Sequence, residues 1–110
     1  MTNQLYEFTM KVTRGDGCDL PEGKHGALVP TYVGASDYLT AVKKGVDAIK
    51  IRKYVFEDIE GQVREIPTDR WGEYVAQVWP EFALSLPTKN QIPALVESGA
   101  VFFGPFAAYK

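Results

Sequence analysis

Residues 4–13 alternate strictly. Tyr6, Phe8, Met10 and Val12 share one parity, and Glu7, Thr9, Lys11 and Thr13 share the other. Period-2 alternation predicts a strand with one buried and one wetter face. Arg14-Gly15-Asp16-Gly17 ends it. The Gly- and charge-rich stretch that continues to Gly26 predicts a surface loop. With Leu20 as its only apolar anchor, that loop is expected to be mobile. Residues 27–34 are apolar and β-prone and predict a second strand, paired antiparallel with the first. Pro30 has no N–H for a ladder, which places this strand at an edge or a bulge.

From Asp37 the period changes. Leu39, Val42, Val46 and Ile49 recur at helical spacing, with Ser36 as the expected N-cap and Gly45 outside the apolar stripe. Residues 53–59 and 62–66 return to β-prone composition around Glu60-Gly61, which predicts a hairpin. Thr68 is the expected cap of a second helix. Its stripe of Trp71, Tyr74, Val75, Val78 and Trp79 is the strongest amphipathic signal in the chain. Pro80 is expected to end that helix. Residues 82–86 are apolar but carry no clear period. Asn90 is the expected cap of a short helix holding Ile92, Leu95 and Val96, with Gly99 at its C′ position. Residues 100–103 predict a last strand, and Gly104-Pro105 a bend. The order ββαββααβ implies a mainly antiparallel sheet of about five strands with two to three helices on one face. That is an α+β two-layer sandwich forming one domain over residues 1–110.

Composition narrows the classes. At 110 residues, 45% hydrophobic and 24% charged, the chain is expected to bury one core rather than stay disordered. A net charge of -2 argues against a nucleic-acid binder that works by neutralising phosphates. One Cys excludes a disulfide within the chain and any multi-Cys zinc site. The N-terminus lacks the basic and apolar regions of a signal peptide, and the longest uncharged stretch, residues 99–109, is too short for a membrane span. The expectation is a cytoplasmic protein with no membrane or nucleic-acid partner. No phosphate-binding loop, dinucleotide fingerprint or nucleophile elbow occurs, so no cofactor is expected.

Four constellations remain. Arg14-Gly15-Asp16 matches an adhesion tripeptide, but reads first as a turn. Asp16, Asp19 and Glu22 share one loop yet lack the Asp-x-Asp-x-Asp-Gly pattern of a calcium loop. Cys18 and His25 can supply a nucleophile and its base, but no third group at a recognisable spacing orients them. The charge distribution is the most informative. Residues 41–56 hold five basic residues and one acidic, net +4, whereas residues 57–81 hold seven acidic and two basic, net -5. Glu57, Asp58, Glu60, Glu65, Asp69 and Glu73 are expected to lie within one contiguous acidic region that steers a basic partner into contact. Tyr32, Tyr38, Tyr54, Phe102, Phe106 and Tyr109 are too many aromatics for such a domain to bury, and exposed members are favoured anchors for a partner. The resulting expectation is a non-catalytic protein-binding module that occludes a basic partner, in the style of toxin-immunity proteins or small inhibitors. The alternatives are a homo-oligomeric domain that binds a small ligand, and an enzyme using carboxylates and Tyr.

Overall fold

The computed structural model describes residues 3–109. The chain runs β1 (Gln4–Thr13), β2 (Gly26–Ala35), α1 (Tyr38–Ile51), β3 (Val55–Ile66), α2 (Trp71–Val78), α3 (Ile92–Glu97), β4 (Val101–Phe103) and β5 (Ala107–Tyr109). Short 3₁₀ segments, Thr68–Arg70 and Pro80–Ser85, precede and follow α2. The five strands form one antiparallel sheet in the order β3-β1-β2, with β4 and β5 sharing the outer side of β2. The α+β sandwich class expected from the pattern is what forms.

β1 and β2 pair without interruption from Gln4↔Ala35 to Thr13↔Gly26. This register puts Phe8, Met10 and Val12 beside Thr31, Val29 and Ala27 on one face, where α1 covers them. The buried line of α1 is Ala41, Gly45 and Ile49, while Leu39 is 69% exposed. The seam is thus rotated from the expected stripe. Gly45 lies at its centre because a Cβ there would stand 2.6 Å from the Phe8 ring. A missing side chain, which a hydrophobicity count reads as no signal, is what lets the helix approach the sheet. Asp37 rather than Ser36 caps α1, accepting a hydrogen bond from the Thr40 N–H at 2.8 Å.

Residues of the opposite parity form a second core at one end of the other face. Leu5, Tyr32 and Ile66 meet Trp71 and Val75 of α2, Ile92 and Val96 of α3, and Leu86. The helices therefore divide between the two faces and are not gathered on one, as the element order had suggested. The Tyr32 ring stacks on Phe102 at 5.2 Å and meets the edge of Trp71 at 5.3 Å. Of residues 82–86, which carry no clear period, the first four belong to the 3₁₀ segment Pro80–Ser85, and Leu86, extended just after it, enters this core.

Three local expectations change. The predicted hairpin around Glu60-Gly61 is one long strand. Gly61 has φ +80°, and the register with β1 shifts between Glu7 and Thr9, so the glycine serves a bulge instead of a reversal. Pro30 lies in an interior strand. Its carbonyl accepts the Gly104 N–H at 2.8 Å, so its nitrogen faces the break between β4 and β5, where no ladder donor is needed. The loop after β1 is pinned. The Arg14 guanidinium donates to the carbonyls of Leu20, Pro21 and Lys24, Leu20 is buried, and Asp19 accepts from Arg52 at 2.9 Å and from the Tyr54 hydroxyl.

The helix ends also differ from the capping pattern in detail. No side chain caps α2 or α3. The Thr88 carbonyl, not the Asn90 side chain, receives the first N–H groups before α3, from Gln91 and Ile92. Gly99 does sit at C′ of α3. Its N–H reaches Val96 and that of Ala100 reaches Leu95, the paired bonds of a Schellman ending.

Candidate functional site at the β3 edge

β3 pairs only with β1, so its outer row of N–H and C=O groups has no strand partner among the described residues. Of its twelve residues only Ile66 is buried, and Phe56, Ile59 and Val63 are half-buried. Strand alternation distributes its acids. Asp58 lies opposite Lys11 and Glu60 opposite Thr9, Glu57 occupies the extra position of a second register shift, and Glu65 lies opposite Tyr6 on the other face. Glu73, on α2, pairs with Arg70 at 3.7 Å. Asp69 borders a shallow hollow with Lys89 and Asn90. The expected acidic region is therefore continuous over Glu57, Asp58 and Glu60, whereas Glu65, Asp69 and Glu73 lie among Arg64, Arg70 and Lys89. Of the aromatics expected at the surface, Tyr38 is 57% exposed and shares a hollow with Glu65, Tyr6 and Val63, while Tyr32 and Tyr54 are buried.

Between β1, β3 and α2 lies a cleft of about 260 Å³ lined by Glu7, Arg64, Glu65, Arg70, Glu73 and Tyr74. Glu7 sits directly opposite Arg64 in the β1–β3 register and opposite Tyr32 across β2. Its Oε2 is the one buried side-chain polar atom among the described residues that has no hydrogen-bond partner. Burial pushes its carboxyl up from the ordinary value, and the Arg64 guanidinium pulls it part of the way back. Behind Glu7 runs a hydroxyl chain. Trp79 Nε1 donates to the Tyr32 hydroxyl at 2.6 Å, and the Tyr32 and Tyr74 hydroxyls are 2.8 Å apart. Tyr32 is fully buried and already accepts from Trp79, so its own proton is best satisfied by donation to Tyr74. Burial raises Tyr32 well above a free phenol and raises Tyr74 as well, so both stay neutral at physiological pH.

Glu7 is not among the residues the sequence pattern singled out. In an alternating strand it reads as an ordinary outward polar position. Only the register, which sets it against Tyr32 and Arg64, and the docking of α2 over that end of the sheet distinguish it.

The other constellations have structural placements. Arg14 of the Arg-Gly-Asp turn is turned inward onto loop carbonyls. Asp19 serves Arg52 and Tyr54, which hold its carboxyl below the usual range, the Tyr54 hydrogen bond most strongly. Desolvation and the bond to Asp19 push Tyr54 up to about 12. Arg52 also lies over the Phe106 ring at 4.7 Å, which ties the loop and β3 to the C-terminal strands. Cys18 packs against the first-face core, and His25 is exposed with its backbone N–H bonded to Tyr109. Among the described residues no helix is long and apolar enough to cross a membrane, and no three His, Cys, Asp or Glu side chains gather as a metal-ligating group. Comparison with known proteins finds no family model, no curated sequence and no solved structure that matches this chain.

Proposed function

We propose that this chain is a cytoplasmic, non-catalytic protein-binding module that occludes a basic partner protein, of the immunity-protein or inhibitor kind, through the β3 edge. One observation carries the reading: a twelve-residue edge strand is exposed along its length and bears four acids against a single base, Arg64. Clustered like charges stabilise a fold little, and directly neighbouring ones oppose it by a few tenths of a kcal/mol each. As a surface they attract a basic protein from a distance and accelerate its encounter. Basic partners of this description include nucleases, whose own surfaces attract phosphate. Tyr38, exposed beside Glu65, supplies an aromatic anchor of the type that carries binding energy in interfaces.

Capture from the native host followed by rapid mixing at two salt concentrations tests this. Reversal of Glu57, Asp58 and Glu60 to Lys is expected to slow association about tenfold or more and to flatten its salt dependence. Tyr38→Ala is expected to speed dissociation. A partner that associates at the same rate with the reversed edge, or that docks on the Lys43–Lys53 side, overturns the reading.

A further inference from the structure

We propose that the cleft between β1, β3 and α2 is a receptor for one basic side chain, an ammonium or guanidinium group, with the Glu7 carboxylate as its acceptor. The inference deepens the protein-binding reading and rests on it for the source of that side chain. The cleft itself is argued from its own geometry.

Glu7 Oε2 is shielded from water yet accepts no hydrogen bond, although buried acceptors are almost always satisfied. Arg64 faces Glu7 across the two strands, but no ion pair joins them. Arg70 is engaged with Glu73 at 3.7 Å. The carboxylate left for a ligand on this face is therefore Glu7, since Glu65, although β3 borders the cleft there, lies beside Tyr6 on the other face. The group that suits a shielded, unpaired carboxylate is a charged N–H donor, because a charge-assisted bond is roughly twice as strong as a neutral one. A volume of about 260 Å³ suits one side chain and is below the range usual for drug-sized ligands. β3 forms one wall of the cleft and carries Asp58 and Glu60 on the same face as Glu7, so a basic protein drawn to the edge arrives beside the cleft mouth.

The test uses the whole chain and small probes: N-acetyl-arginine amide, N-acetyl-lysine amide and, as the uncharged isostere of the first, N-acetyl-citrulline amide. NMR titration is expected to show both cationic probes shifting the Glu7, Arg64 and Tyr74 resonances, with a Kd on the order of millimolar, as befits a single side chain. Citrulline amide is expected to bind about tenfold more weakly or not at all. Glu7→Gln, which keeps the shape, is expected to weaken the cationic probes about tenfold or more while leaving the amide spectrum folded. Equal binding of the arginine and citrulline probes overturns the inference even without a variant. So does an unchanged Kd in Glu7→Gln, or shifts confined to Glu57–Glu60. Reversal of Glu57, Asp58 and Glu60 is expected to leave probe binding at the cleft unchanged. A protein that binds the probes but whose partner ignores the edge reversal therefore refutes the edge reading alone. One that fails to bind the probes while its partner responds to the reversal refutes the cleft alone.

Discussion

At Glu7, desolvation lifts the carboxyl above its ordinary value and Arg64 offsets only part of that lift. An acid whose pKa is higher in the folded than in the unfolded state opposes folding once it ionises. The penalty is absent below the ordinary glutamate value of about 4.3, grows as pH rises through the folded value, and is complete above it. Glu7→Gln is therefore expected to raise the melting temperature at pH 7, by at most about 4 °C for roughly 1 kcal/mol, and the gain is expected to vanish in melts near pH 4. A variant no more stable than the parent at pH 7 contradicts the placement of Glu7 in a desolvated position. Greater stability together with weaker binding of a basic probe is the combination expected of a residue kept for recognition. The same residue is the clearest case of what a linear pattern hides. Its neighbours in the chain are those of any outward strand position, and its environment is contributed by residues 25 and more positions away.

At the scale of the element, two glycines predict opposite outcomes for the same substitution. Gly45 in α1 abuts the Phe8 ring and the Thr31 methyl, whereas a Cβ at Gly72 in α2 meets nothing within 4 Å. Alanine is the better helix former by about 1 kcal/mol. Gly72→Ala is thus expected to stabilise by up to about 1 kcal/mol, and Gly45→Ala to destabilise by about 1–3 kcal/mol, because overpacking a closed seam outweighs propensity. Urea midpoints of the two variants decide it, and a stabilised Gly45→Ala contradicts the approach of α1 to the sheet. Elements differ in how far their sequence announces them. β1 and α2 carry regular periods and appear close to where the pattern puts them. β3 does not, because Gly61 supplies the positive φ that both a turn and a bulge require, and local sequence does not say which one the chain uses.

Across the whole molecule, two cores back onto one sheet, and Trp71 binds the second together. It is 1% exposed, meets the Tyr32 and Phe102 rings edge-on, and donates from Nε1 to the Pro87 carbonyl at 2.8 Å. Trp79 follows the last residue of α2 and is only half-buried. Trp71→Ala is expected to destabilise by about 3–5 kcal/mol, a large part of a total of about 5–15 kcal/mol, and Trp79→Ala by clearly less. Denaturation curves that reverse this order contradict the assignment of Trp71 as the central residue of the second core.

The sequence by itself determined the α+β class, the antiparallel hairpin of β1 and β2, the existence of three helices, the Gly99 ending of α3 and the acidic composition of residues 57–60. Each of these is written in a local period, a cap or a charge count. The tertiary structure alone decided which face each helix covers, that the segment after α1 is one bulged edge strand, that Arg14 and Asp19 pin a Gly-rich loop, and that Glu7 faces a cleft. The physical reason is that a period reports how often a side chain is buried, not against what. Helix α1 chose its face because Gly45 fits Phe8, and α2 and α3 took the other because Leu5, Tyr32 and Ile66 project there. Those choices depend on the register between strands, and register is a property of pairs of segments that no single segment contains.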